Sequence, residues 1–139
     1  IELEITENTL METGPVVVER LTKLYDMGIM LAIDDFGTGY SSLSYLKKFP
    51  VHKLKIDRAF IKDVTTDDDD AKITRSIINL GQAMNLEIIA EGVETEEQLE
   101  FLRDEGCQQV QGFLFAKPMS SEALIEWLPL QQAKMMQAV

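Results

Sequence analysis

Asp34-Asp35-Phe36-Gly37-Thr38-Gly39-Tyr40-Ser41-Ser42-Leu43 follows an apolar, strand-like run, Ile29-Met30-Leu31-Ala32-Ile33, with two adjacent carboxylates and a Gly-Thr-Gly loop. Adjacent acids at a strand end repel each other, and a cation offsets that repulsion. Hard divalent metals take oxygen ligands of this kind. A solvated acidic turn uses the same residue types, so the stretch alone favours metal binding only modestly.

Four further segments read as short strands, each with polar chemistry near its C-terminal end. Residues 1–6 hold Glu4 and lead to Glu7. Residues 53–56 hold Lys55 and lead to Asp57. Residues 87–90 lead to Glu91 and Glu94, and residues 108–115 hold Gln111. Helical stretches lie between them. Strand–helix alternation predicts an α/β fold with a parallel sheet. In such folds ligands bind at the carboxyl ends of the strands, where these acids, the lysine and the amide would form one rim.

Side chains two apart on a strand share a face. Leu3 and Ile5 oppose Glu2 and Glu4; Leu31 and Ile33 oppose Ala32 and Asp34; Leu54 and Ile56 oppose Lys53 and Lys55. One face therefore meets helices and the other carries Glu4, Asp34 and Lys55. Glu2 falls on that inner face too, with no role the pattern explains.

The 139 residues can bury one sizeable core, and the hydrophobic content of 45% is ordinary for a globular domain. A net charge of −11, from 24 acids against 13 Lys and Arg, argues against a DNA- or RNA-binding surface. It does not exclude an anionic substrate, because bound metals invert the local field. Cys107 is the only cysteine, which rules out an internal disulfide and fits a reducing, cytoplasmic setting. No apolar run suggests a membrane span. His52 is the only histidine, so no Ser–His–Asp arrangement competes.

A first helix is expected over residues 15–27, with Pro15 at N1 and Gly28 as the stop. A short helix is expected over residues 42–48. The acidic run at residues 67–70 reads as a helix N-terminus ahead of a stripe of Ile73, Ile77, Leu80 and Met84. Thr95 and Gln98 form a capping-box pattern. Ser121 is expected to cap a last helix that Pro129 ends or kinks, leaving residues 130–139 as a tail.

Five motifs then acquire a family likeness. Leu3-Glu4-Ile5-Thr6-Glu7, the run from Asp34 to Ser42, Leu54-Lys55-Ile56-Asp57-Arg58, Ala90-Glu91-Gly92-Val93-Glu94-Thr95 and Gln111-Gly112-Phe113-Leu114-Phe115-Ala116-Lys117-Pro118 resemble the EAL-domain family of bacterial cyclic di-GMP phosphodiesterases. The resemblance spans residues 1–129 and implies the C-terminal five strand–helix units of a TIM-like (β/α)8 barrel. It implies hydrolysis of cyclic di-GMP to the linear dinucleotide, supported by a two-metal site holding Mg2+ or Mn2+. By resemblance, Glu4, Asp34, Asp35 and Glu91 bind the metals, with Asp34 bridging and Asp57 in or beside their shell. Lys55 positions or helps deprotonate the attacking water. Glu7 anchors the loop at residues 36–42, Glu94 steadies the Glu91 loop, and Gln111 holds water or substrate. Upstream regulatory domains and a homodimer are the further partners it suggests.

The family's Glu-Ala-Leu motif, with its metal-binding Glu, an Asn on the next strand and a substrate-contacting Arg, falls before Ile1. The 139 residues alone are therefore expected to supply part of a site, to be inactive, and to associate through two open sheet edges. The competing readings are an inactive EAL-like module that binds cyclic di-GMP or a protein, and a different TIM-barrel metal hydrolase. Without the resemblance, Glu7 and Glu94 are equally well read as caps or surface acids.

Overall fold

The computed structural model of the protein describes residues 1–12, 15–39 and 46–137. Strands β1 (Glu2–Thr6), β2 (Met30–Phe36), β3 (Lys53–Ile56), β4 (Glu87–Glu91) and β5 (Gln109–Gln111) form one five-stranded sheet in that spatial order. All four pairings are parallel. Among the described residues the helices are α1 (Glu7–Glu12), α2 (Pro15–Asp26), α3 (Arg58–Lys62), α4 (Asp68–Ala83), α5 (Glu96–Asp104) and α6 (Ser121–Gln137).

Parallel strands place all their C-terminal ends on one edge, so Glu7, Asp34, Asp57, Glu91 and Gln111 come to a common rim although dispersed in sequence. The apolar face holds Leu31, Ile33, Leu54, Ile56, Ile88 and Ala90, all essentially inaccessible. Leu10, Leu21, Ile61, Ile77, Ile78 and Leu102 cover it from the helices. This burial of aliphatic side chains is the main stabilising contribution, about 1.5–3 kcal/mol for each fully buried side chain.

Several local expectations are met. Asp67 caps α4 by accepting from the Asp69 and Asp70 amides. Thr95 and Gln98 form a reciprocal capping box at α5. Gly28, with φ +79°, follows α2 in the left-handed conformation that stops a helix.

Others differ. The short helices α1 and α3 are additional to the expected set, each too brief for a periodic signal. Leu3 keeps 39% of its surface exposed, because β1 is an edge strand here with little packed over it. Ile73 is also exposed, and the inward side of α4 is instead Thr74, Ile77, Ile78 and Gly81. Gly81 belongs there because a Cβ would come within 2.7 Å of Ile88 on β4. β5 stops at Gln111 rather than running to Phe115. Leu114 N–H instead donates to the Val93 carbonyl, and Gly112 admits that approach because a side chain would overlap the Val93 backbone.

Ser120, not Ser121, caps α6, accepting from Ala123 N–H at 3.3 Å. Pro129 does not end α6, which continues to Gln137. Pro129 has no N–H to donate to the carbonyl four residues back, that of Ile125, an exposed residue. The expected helix at residues 42–48 lies largely outside the described residues.

Candidate active site

β2 carries two successive acids. Strict alternation would send them to opposite faces of the sheet. Here the pairing of β2 with β3 shifts register between Ile33 and Phe36, and Asp35 takes a left-handed conformation with φ +53°. Such bulges re-aim side chains near functional sites. Asp tolerates this region better than most residues, but the strain still costs on the order of 1 kcal/mol. Asp35 thereby comes close to the Asp57 carboxyl. Partial burial, the Asp34 charge and the neighbouring Asp57 carboxyl push the Asp35 carboxyl above the usual carboxylate range. Asp57 also caps α3, its Oδ1 accepting from Ala59 N–H at 2.7 Å.

Lys55 is the hub. Its Nζ lies 2.8 Å from Glu4 Oε1, 2.9 Å from Asp34 Oδ1 and 2.8 Å from Glu91 Oε1, joining β1, β2 and β4 through β3. Only 7% of its side chain is exposed. Burial alone would lower the lysine pKa. The contacts with Glu4, Glu91 and Asp34 outweigh burial and hold it well above the ordinary lysine value, so Lys55 is a cation. Asp34 Oδ1 is buried and, despite its closeness to Nζ, accepts no well-directed hydrogen bond. Among the described residues no three acids close on one point as a formed metal cage; three of them gather on the ammonium instead.

The donor set nevertheless fits a hard divalent cation. Its atoms are carboxylate oxygens, a buried one lacks a hydrogen-bond donor, and acids outnumber the one lysine. Three carboxylates, of Glu4, Asp34 and Glu91, lie around one ammonium, and Asp35 and Asp57 stand beside them. Excess negative charge of this kind stabilises a bound cation.

The flanking residues shape the rim. Glu7 is buried and its Oε2 accepts from Gly37 N–H at 2.8 Å, tying the start of α1 to the loop after β2. Gly39 lies so close to Glu7 and Asn8 that a Cβ there would meet Asn8 Oδ1 at 2.8 Å. Glu94 pairs with Arg58, Nη2 to Oε1 at 2.6 Å. Gln111 stands opposite Glu91 in the β4–β5 register. Arg58, Glu91, Gly92, Glu94, Gln111, Gly112 and Phe113 line a hollow of about 170 Å³.

The structure also gives Glu2 a role. It sits 2.9 Å from Lys53 Nζ, one layer below Lys55, and Glu87 lies 3.9 Å from the same ammonium. His52 is structural: its Nδ1 accepts from Leu31 N–H and its ring stacks on Tyr25. Cys107 is half-buried, with Sγ 3.2 Å from the Gln109 carbonyl. Arg58 had no assigned role in the sequence reading. Its position directly after Asp57 was the available signal.

A parallel α/β sheet with an acid-rich, lysine-centred rim defines a class of metal-fitted sites at strand C-termini. The chain belongs to the EAL domain family, whose model matches residues 1–118. It is 52% identical over 123 residues to the bifunctional diguanylate cyclase/cyclic di-GMP phosphodiesterase MucR of Pseudomonas aeruginosa, covering 88% of this chain and 18% of MucR. It is 47% identical to the cyclic di-GMP phosphodiesterase NbdA of the same organism, covering 92% of this chain and 16% of NbdA. The chain thus spans less than a fifth of either relative.

A solved PaMucR phosphodiesterase in complex with c-di-GMP superimposes with a TM-score of 0.85, covering 88% of this chain and 50% of that one. The architecture is therefore five strand–helix units of the TIM-like EAL fold. Structures of Klebsiella pneumoniae BlrP1, with a TM-score of 0.78 and 35% identity, hold cyclic di-GMP with manganese or with calcium; they cover 84% of this chain and 30% of theirs. Among the described residues no helix is long and apolar enough to cross a membrane.

Proposed function

We propose that these residues form part of the active site of a cytoplasmic, metal-dependent cyclic di-GMP phosphodiesterase that releases the linear dinucleotide. The observation that carries this reading is the convergence of Glu4, Asp34 and Glu91 on Lys55 beside Asp35 and Asp57. The names of MucR and NbdA support the substrate. Glu4, Asp34, Asp35 and Glu91 would hold Mg2+ or Mn2+, with Asp57 beside them. The two ions would supply a nucleophile at neutral pH and relieve charge on the phosphoryl oxygens.

The chain's own residues do the rest. Lys55, as an ammonium, donates hydrogen bonds that orient the attacking water and stabilise negative charge in the transition state. Glu7 holds the loop after β2 through Gly37 N–H, which keeps the backbone beside Asp35 in its strained form. Gln111, at the end of β5, offers an amide to water or substrate next to Glu91. Residues 1–129 would constitute this part of the domain. Three further strand–helix units would pair with the open edges at β1 and β5 and complete the site. Regulatory domains and a second copy are the partners proposed with it.

The test is turnover of cyclic di-GMP by the complete protein with Mg2+ or Mn2+. Asp34→Asn should abolish it, a loss of at least ~1000-fold, because the buried carboxylate that would help hold the metal loses its charge. Near-normal turnover in that variant would remove Asp34 from the site. Tight cyclic di-GMP binding without turnover by the unaltered protein would favour the silent-module reading.

A further inference from the structure

Asp57 and Glu91 stand at the ends of adjacent strands, and each is followed at once by a residue of one staple. Arg58 opens α3, and its guanidinium lies 2.6 Å from Glu94. Its aliphatic stem presses on Gly92 so closely that a Cβ there would overlap the Arg58 side chain. Gly92 has φ +74°, the left-handed region glycine favours. The other end of α3 is tied to the same loop: Gln98 Nε2 donates to the Lys62 carbonyl at 3.0 Å, while Gln98 Oε1 accepts from Glu94 N–H at 2.7 Å. Both ends of a five-residue helix are thus fixed to the segment that follows Glu91.

We infer that Arg58 is a positioning residue, holding the Asp57 and Glu91 carboxylates at a set separation by clamping Glu94 across Gly92. The inference rests on the proposed function and adds a residue to it. The ion pair itself is well exposed, 58% for Arg58 and 41% for Glu94. Exposed pairs of this kind contribute little to stability. The consequence of losing it therefore falls on geometry, where small misplacements of reacting groups cost much in rate. A lysine would keep the charge and part of the stem but lose the planar fork.

In the complete protein, Arg58→Ala should leave the thermal midpoint nearly unchanged. It should lower kcat ~10-fold or more with KM little altered, and weaken Mn2+ binding several-fold by calorimetry. Glu94→Gln should reproduce both effects, and the double variant should be no worse than either single one. Arg58→Lys should restore part of kcat. Unchanged kcat and Mn2+ affinity in Arg58→Ala would overturn the inference. So would strictly additive losses, or a rise in KM alone, which would make Arg58 a substrate contact. If the unaltered protein binds Mn2+ but turns over no cyclic di-GMP, the proposed function fails, while the Mn2+ affinities of the variants still decide the role of Arg58.

Discussion

Two lysines of β3, two residues apart on the same face, sit in neighbouring ion layers with different outcomes. Lys53 meets Glu2 at 2.9 Å and Glu87 at 3.9 Å, and Glu87 also accepts from Gln109 Nε2. On β2 the neighbour at that level is Ala32, whose small side chain lets Lys53 reach across to β1. Lys55 one layer up meets three acids within 2.9 Å, because β2 there supplies Asp34. Asp35 is in turn within electrostatic reach of Asp34, Asp57 and Glu91. The lower layer is two acids around one lysine, close to balanced and partly open. The upper layer carries three acids within 2.9 Å of one lysine that is 7% exposed, with Asp35 and Asp57 beside those acids. The same residue types make an interior polar layer in one case and a cation-seeking site in the other. The difference is the local count of acids and their burial.

Removing the upper lysine should give the largest contrast. Lys55→Ala is expected to lower kcat ~100-fold or more with a smaller change in KM, as for loss of a group acting mainly in the transition state. Without metal, the domain should also lose a few kcal/mol, ~3 by analogy with breaking other buried ion pairs, because the acids lose their shared cation. Added Mn2+ should raise the melting temperature more in this variant than in the unaltered protein. An equal or smaller rise would mean that lysine and metal do not draw on the same carboxylates.

The lower lysine should matter far less. Lys53→Met leaves Glu2 and Glu87, both partly solvated, and is expected to cost about 1–2 kcal/mol and to change kcat by less than ~3-fold. A rate loss matching that of Lys55→Ala would end the distinction between the layers.

An exposed pair remote from both supplies the smallest effect. Arg75 holds the Glu105 carboxyl below its usual range, Nη2 to Oε1 at 2.7 Å. A depressed folded-state pKa gives stability that is fully present above the unfolded value and lost as pH falls through the folded one. Glu105→Gln should therefore narrow the gap in melting temperature between neutral and acid pH slightly. A wider gap would contradict that sign.

The strand series and the apolar face could be read from the chain because side-chain alternation has a period that local sequence states directly. The helix starts at Asp67 and Thr95 were legible for a similar reason, since caps depend on residues two or three apart. Ile73 misled because periodicity marks an apolar stripe but not which part of it the sheet covers. The rim acids were identifiable as candidates from their place at strand ends. Glu2 was not, because its partner Lys53 lies 51 positions away and is brought near only by strand order. Arg58 escaped for the same reason: Gly92 and Glu94 meet it only once β3 and β4 pair.

The sequence by itself determined an α/β chain with five strand segments, their polar face, and the acids and lysine at their C-terminal ends, since these follow from alternation and local chemistry. Only the tertiary structure decided that Lys55 takes three carboxylates at once, that a shifted register and a left-handed Asp35 bring Asp35 against Asp57, and that Arg58 staples the Glu91 loop. Those outcomes depend on register and on distances between residues far apart in the chain, which pairing of the strands sets and local propensity does not.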